Sequence, residues 1–426
     1  MVPDEREVVN ARGLADYVLG KVGVASKGFP EIREVILGGS FAKETWLTKG
    51  ADIDIFLKID PHVSESRFEK IGLEVGSSAL KGYPLGKKYA QHPYTEATVR
   101  GVKVNVVPCY DVRKGEWKSA ADRSPFHVEV VRGMSQEQKI QVRLLKRFMI
   151  AAGVYGAEIE TQGFSGYLAE VLILKNGTFL NTIRSFADFV PSGDRGLFNL
   201  PDPVDETRDL GIAVSGEKLG KMVLAARAFL VKPDESFFKT VAGRNRPRMK
   251  ERVVILIFNH ERLSEDILWG ELRKSLKHLV RHVEGKGFTM ARSLCASNNI
   301  NSSAFLFIPE YERLPDLVQR VGPSVALKQE SQRFVERNEG KAMLLWVDDQ
   351  ARLRLLQRRA QTKFIDLIAH MVRHDVESLG VSKELLRGLR RSRILVGSKS
   401  LKSQKEKWLL EGMREIVSDT AGIHQA

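Results

Sequence analysis

Cysteine is nearly absent: Cys109 and Cys295 are the only two in 426 residues, far apart and with no CxxC or Cys/His cluster near either. That excludes a disulfide framework and a structural zinc site, and it fits a reducing compartment, so a cytoplasmic chain is expected. Long apolar runs are missing too. Runs such as Val253 to Phe258 fall far short of the roughly 18 residues that cross a bilayer. The start, MVPDEREVVN, lacks the basic-then-apolar pattern of a signal peptide, so neither membrane spanning nor secretion is expected. No GxxxxGK[ST] occurs, which removes the phosphate-cradling loop of the P-loop ATPases. There is no internal repeat and no low-complexity tract.

Positive charge, by contrast, is abundant. Lys and Arg number 67 against 53 Asp and Glu, a net +14 at pH 7, and this balance favours a polyanionic partner. With 43% apolar residues the chain has material for ordinary cores, and its length suggests roughly three domains.

Residues 30 to 110 alternate short β-branched runs with turn signals, as in Val35-Ile36-Leu37 followed by Gly38-Gly39-Ser40, and predict a small mixed sheet. From about Gln136 the spacing becomes helical, with Val142, Leu145 and Met149 on one stripe and Phe164, Leu168, Val171 and Leu172 on the next. Pro191 to Pro203 interrupts these helices, and Phe237 to Arg248 reads as a basic connector. Beyond it, a βαββ order from Val253 to Ile308 predicts a small α/β domain. Residues 351–426 carry 16 Lys/Arg and 8 Asp/Glu; the blocks at 352–359 and 387–393 read either as phosphate grips or as a solvated helical face. The fold class is therefore multidomain α+β, divided at 1–135, 136–245, 246–350 and 351–426.

The chemistry concentrates in Gly38 to Leu57, GGSFAKETWLTKGADIDIFL. A strand enters a Gly-Gly-Ser turn, a short helix from Phe41 to Leu47 comes next, and a second strand carries Asp-Ile-Asp. Side chains alternate along a strand, so Asp52 and Asp54 share one face while Ile53 and Ile55 enter the core. Two like charges side by side are costly unless a divalent cation neutralises them, and hard carboxylate oxygens suit Mg²⁺. The Gly38-Gly39 turn lets backbone N–H groups approach a phosphate, and Ser40 adds a hydroxyl. Singly, a GGS turn is only a turn and a DxD only a solvated pair. Jointly, with a third polar strand in the same sheet, they carry the logic of nucleotidyl transfer: triphosphate on the turn, cations on the carboxylates, in-line attack on the α-phosphorus.

GGSFAKETWLTKGADIDIFLKID, AQHPYTEATVRGVKVNVVPCY, SAADRSPFHVEVV, VRLLKRFMIAAGVYGAE and QGFSGYLAEVLIL, in this order, resemble the archaeal class I CCA-adding tRNA nucleotidyltransferases over about residues 30–215, and the βαββ segment is similar further on. The resemblance implies addition of C, C and A to the tRNA 3′ end from CTP and ATP with Mg²⁺ and no nucleic-acid template. It also implies a nucleotidyltransferase head, a helical neck contacting base and tRNA, an α/β body and a basic tRNA-binding tail, matching the four divisions of the chain. Asp52 and Asp54 correspond to metal-binding catalytic carboxylates and Gly39 and Ser40 to the triphosphate turn. Lys43 stands where an arginine is usual. His127, Lys146 and Tyr155 correspond to nucleotide-contacting residues, and Arg227 to an arginine that helps present hydrogen bonds to the incoming base. Read without the resemblance, Lys146 is a surface lysine, His127 a helix-start or packing residue and Tyr155 a core aromatic. The implied partners are tRNA, through acceptor stem and T arm, and the two nucleotides, with no DNA or membrane, for a monomer or homodimer.

One position departs from the family. Where its pattern reads VxVDVVPCY, this chain has Val102-Lys103-Val104-Asn105-Val106-Val107-Pro108-Cys109-Tyr110. Alternation places Asn105 on the catalytic face, as a third catalytic and metal-facing position, but an amide binds metal less well than a carboxylate and accepts no proton near neutral pH. Nucleotide binding should survive while chemistry slows by about 10²- to 10⁴-fold. An introduced Asp→Asn change, a natural impaired variant and a catalytically silent RNA-binding relative all fit this substitution, and a poly(A)-type polymerase of the same superfamily is the alternative within the class. Asp111 is out of register and is not expected to substitute.

Overall fold

The computed structural model describes residues 2–48, 50, 52–89, 91–190, 198–239, 247–397 and 406–418. Lys49 of the predicted turn, most of the Pro-rich interruption, the centre of the basic connector and the segment 398–405 lie outside them. The described residues fall into two compact units, 2–239 with Ser264–Asp266, and 247–263 with 267–418. Among them, no helix is long and apolar enough to cross a membrane.

The first unit begins with helix α1 (Glu5–Ser26), whose N-terminus is closed by a capping box between Asp4 and Glu7. Strand β1 (Ile32–Gly38) runs into the one-turn helix α2 (Gly39–Ala42), and β2 (Ile53–Ile59), α3 (Glu65–Ala79), β3 (Leu85–Tyr89), β4 (Pro93–Val99) and β5 (Val102–Tyr110) complete the domain. The sheet order is β1-β2-β5-β4-β3, with β2 and β5 parallel and the other pairs antiparallel. A central strand must bury at least one full face, and β2 does so through Ile53, Ile55, Leu57 and Ile59, none of them exposed. These pack with Val104 and Val106 of β5 and with Phe68, Ile71 and Val75 of α3 and Leu14 and Val18 of α1.

Helices α4 (Ser124–Arg132), α5 (Gln136–Ala151), α6 (Gly166–Asn176), α7 (Phe179–Ala187) and α8 (Gly216–Val231) belong to the same unit. Serine side chains at 135, 165 and 215 cap α5, α6 and α8 by accepting from backbone N–H groups, the start signal expected where a polar residue precedes a periodic apolar run. Phe148 of α5 anchors their core, with its ring 5.7 Å from Phe179 and 5.7 Å from Phe229.

The second unit contains α9 (Pro247–Lys250), β6 (Val254–Asn259), all but the first two residues of α10 (Glu265–Gly285), β7 (Met290–Ser297), β8 (Ser302–Pro309), β9 (Leu317–Ser324), α11 (Lys328–Asn338), β10 (Leu344–Val347), β11 (Arg352–Arg358), α12 (Phe364–His370), α13 (Lys383–Arg390), β12 (Arg393–Val396) and α14 (Lys407–Ile416). Its four-stranded sheet, β12-β6-β8-β7, is covered on both faces. Val254, Leu256 and Phe258 meet α10, α12 and α13, while Ile255 and Ile257 meet Leu409, Met413 and Ile416 of α14. That two-sided burial explains the unbroken apolar run of β6.

Residues 351–426 supply strands to both sheets of this unit, since β11 pairs with β9 and β10, and β12 with β6. The block at 352–358 is thus a strand, with Leu353 and Leu355 buried between outward arginines, and the helical-face reading of it is corrected. Its period is two rather than 3.6.

Candidate active site

The edge of the first unit's sheet sets the site. Register aligns Gly38 with Asp54 and Asp54 with Asn105, so these three positions lie in one row across β1, β2 and β5. Asn105 Nδ2 donates to Asp54 Oδ1 at 2.8 Å, while Asn105 Oδ1 is buried with no hydrogen-bond partner. Gly39, at φ +60°, comes so close to the same carboxylate that a Cβ there would stand 1.7 Å from Asp54 Oδ2. Only glycine fits: the left-handed backbone and the missing side chain are both required. A Cβ on Gly38 would likewise strike the Phe56 ring at 2.3 Å.

Asp52 is exposed just ahead of β2 and Asp54 is half-buried within it. Both carboxyls are pushed above the usual range, first by lost hydration; in Asp52 the Asp54 charge adds to this and Lys103 opposes it, whereas in Asp54 the Asn105 hydrogen bond, Lys43 and Lys103 oppose it. An acid pair with unfavourable hydration, an unpartnered buried amide oxygen and a cradle kept open by a missing Cβ fit a divalent cation. The third ligand is neutral rather than acidic, however. Among the described residues, the one group of three His or acid side chains with ligand atoms within 4.8 Å of one another is Glu65, Glu69 and His92, elsewhere on the domain.

The expected helix from Phe41 to Leu47 is shorter than predicted, ending at Ala42. Beyond Ala42 the chain turns irregular and is gripped from α5. Lys139, Arg143 and Lys146 recur at helical spacing on one face. Lys139 binds the Glu44 carboxylate at 2.9 Å. Arg143 donates to the carbonyls of Trp46 and Glu44 at 3.1 and 2.6 Å, and Lys146 to the Thr45 carbonyl and hydroxyl at 3.2 and 3.0 Å.

Lys146, 1% exposed, is therefore no surface lysine. Its ammonium lies 2.8 Å from Glu170 Oε1, and Lys43 holds Glu170 Oε2 at 2.6 Å, with the Thr45 hydroxyl completing the cluster. Burial alone would raise the Glu170 carboxyl, but Lys146 and then Lys43 hold it down at about 2. Burial likewise lowers the Lys146 ammonium, against the pull of Glu170.

Tyr167 joins this cluster to a second one. Lys43 stands over its ring at 5.1 Å and His127 stacks on it at 3.7 Å. The Tyr167 hydroxyl and His127 Nε2 meet the two oxygens of Asp202 at 2.9 and 3.1 Å, and Arg208 reaches the same carboxylate at 3.2 Å. His127 is lowered by burial despite Asp202. Tyr155 bridges to Phe164, and a Cβ on Gly166 would stand 2.9 Å from its hydroxyl and 3.6 Å from Lys146 Nζ.

Of the residues singled out in the sequence, Gly39, Asp54, Asn105, Asp52 and Lys43 thus share one neighbourhood, with Lys146, Tyr155 and His127 bordering it. Ser40 contributes its carbonyl, which accepts from Thr45 N at 3.0 Å. Arg227 is exposed on α8 and donates to the Ala187 carbonyl at 2.8 Å, with no contact to those groups. Asp111 is held by Lys58 at 2.9 Å and Arg33 at 3.4 Å, consistent with its exclusion. Thr45, Tyr167, Glu170 and Asp202 were not picked out from the sequence. A buried-position Glu in an apolar helical run was the one signal available.

Three family models cover most of the chain: a "Nucleotidyltransferase domain" over residues 24–127, a "tRNA nucleotidyltransferase, second domain" over 140–239 and a "CCA-adding enzyme, C-terminal domain" over 250–397. The CCA-adding enzyme of Methanopyrus kandleri is 32% identical over 433 residues, covering 90% of this chain and 87% of that protein. This chain belongs to the CCA-adding enzyme family. The CCA-adding enzyme of Archaeoglobus fulgidus is 31% identical over 79% of this chain and 80% of its own length, and that of Thermoplasma volcanium 38% identical over 66% and 67%. A solved cytoplasmic RNA terminal U-transferase aligns with 57% of this chain and 95% of its own at 13% identity and a TM-score of 0.44.

Proposed function

We propose that this chain adds C, C and A to the 3′ end of tRNA from CTP and ATP, with the site on β1, β2 and β5 as its single transfer site. One observation supports the reading: a Cβ on Gly39 would stand 1.7 Å from Asp54 Oδ2, so the glycine turn and the acid strand abut where a triphosphate and its cation would have to converge. Membership of the CCA-adding family supports the substrate. Asp52 and Asp54 would hold Mg²⁺, whose charge offsets that of the phosphates and of the developing transition state. Gly39 and Ser40 receive the triphosphate through the corner, and Lys43 contributes positive charge beside it. Lys146, Tyr155 and His127 shape the pocket from the helical side, and Arg227 addresses the base. The 3′ oxygen of the RNA attacks the α-phosphorus, a P–O bond forms as the α–β bond breaks, pyrophosphate leaves and the hydroxyl proton is released. Basic surfaces on the helices and on residues 351–426 hold acceptor stem and T arm through phosphates, reading shape more than sequence.

Asn105 favours a second reading, a catalytically silent or impaired RNA binder. A tRNA lacking its 3′ CCA, incubated with Mg²⁺ and each nucleotide separately and run on a gel, tests both. Stepwise extension by CTP and then ATP is expected, faster in Asn105→Asp. Tight tRNA binding with no extension by either protein would overturn the transferase reading, and ATP-only tailing would favour a poly(A)-type enzyme.

A further inference from the structure

The row across the sheet does not end at Asn105. In the antiparallel pairing of β4 and β5, Asn105 stands directly opposite Glu96, and residues directly opposite in such a pair project to the same face. Glu96 in turn faces Gly86 of β3. The face therefore reads Gly38, Asp54, Asn105, Glu96, Gly86, strand by strand. Two acids flank one amide, and Gly86, lacking a side chain, crowds nothing beyond Glu96.

The amide between them is oriented. Its nitrogen end is turned to Asp54, and its oxygen end is buried without a donor. Asn105 is thus occupied in holding Asp54. Among the described residues, Glu96 has no comparable tie. It is partly buried, and among the described residues it pairs with Lys103 at 3.8 Å, too long for a hydrogen bond. Lys103 sits two residues before Asn105 on the same face of β5 and acts electrostatically on both Asp52 and Asp54, so the Glu96 ion pair borders the same acid field. Strands are spaced about 4.8 Å apart, which puts Glu96 about 10 Å along the sheet from Asp54. Its side chain is one methylene longer than an aspartate's, and it starts beside the position where an acid is missing.

Resting on the transferase reading, we infer that Glu96 supplies the third acid of this site from the neighbouring strand, while Asn105 serves as the hydrogen-bonding spacer that fixes Asp54. A substrate hydroxyl and cation arriving at the face would draw Glu96 from Lys103, and the unpartnered Asn105 oxygen would gain a donor. The chain would then keep a three-acid field, displaced by one strand.

Glu96→Gln changes one oxygen to an amide without altering size, so it isolates the charge. It is expected to lower kcat for CTP incorporation by about 10²-fold or more with KM for CTP little changed, consistent with losing an interaction made only in the transition state. Asn105→Asp in the Glu96→Gln background is expected to restore at least a tenth of the wild-type rate. Mn²⁺ titration followed by electron paramagnetic resonance, with CTP present, gives a readout independent of turnover: weaker or fewer bound Mn²⁺ in Glu96→Gln, recovered in the double variant. Thermal melting confirms that each variant is folded. A Glu96→Gln protein that extends tRNA and binds Mn²⁺ like the wild type would overturn this inference alone. A wild-type chain that binds tRNA but incorporates nothing would overturn it together with the transferase reading.

Discussion

Glu170 carries two ammonium groups and a hydroxyl in a fully buried pocket, and that makes it the most exacting residue of the first unit. Removing one partner of a buried charged cluster leaves the others without compensation. Glu170→Gln is expected to lose about 3–5 kcal/mol of stability, measurable as a drop in melting temperature. The pH dependence has a definite sign. The carboxyl is depressed from its ordinary 4.5 to about 2 in the folded chain, so its contribution is fully present above about pH 4.5 and is lost as pH falls toward 2. Acid titration of the wild type should therefore show a stability loss in that window which the variant lacks. This residue also marks how far the sequence could be read. Asp52 and Asp54 were legible because a period of two and an adjacent glycine turn are local patterns. So was Asn105, through the alternation of β5. Glu170, Asp202 and Tyr167 were not, because their meaning comes from partners tens of residues away, and the burial of Lys146 is set by Glu170 rather than by its own neighbours.

Helix α5 works as a clamp. Its basic face, Lys139, Arg143 and Lys146, is turned to residues 44–46, immediately after the one-turn helix that opens the site. Arg143→Ala removes two of these bonds and should cost about 1–3 kcal/mol. Because the segment it releases is continuous with Lys43 and Ser40, KM for both nucleotides should rise while tRNA affinity in filter binding stays near wild type. An unchanged KM would show that the segment holds its shape without the arginine. Elements differ in legibility for a physical reason. The strands of the first sheet announce themselves by β-branched runs between glycines. In β11, alternating Leu and Arg carry so much charge that a solvated helix suggests itself, although period rather than charge decides between strand and helix.

Across the whole molecule, a net charge of +14 sets how the chain meets a polyanion. Each phosphate neutralised by Lys or Arg releases condensed counterions, so affinity for tRNA falls steeply with salt. Raising salt from 50 to 200 mM is expected to weaken tRNA binding by about 10²-fold or more, while CTP binding, confined to one corner, changes much less. Equal salt sensitivity for the two would place the polyanion contacts at the nucleotide site alone. Among the described residues of 351–418, cations such as Arg354, Arg387 and Arg414 sit in strands and helices of the second unit, so truncating this part would remove packing as well as cations.

The bond between Lys43 and Glu170 spans 127 residues of sequence. On a ribosome making about 5–20 residues per second, the corner around Lys43 is synthesised roughly 6–25 s before its counter-charge exists. A nascent head can pair its strands in that interval, but it cannot set Lys43, Thr45 and Lys146 in place. The arrangement of residues 43–46 around Glu170 is thus completed only after α6 has been translated.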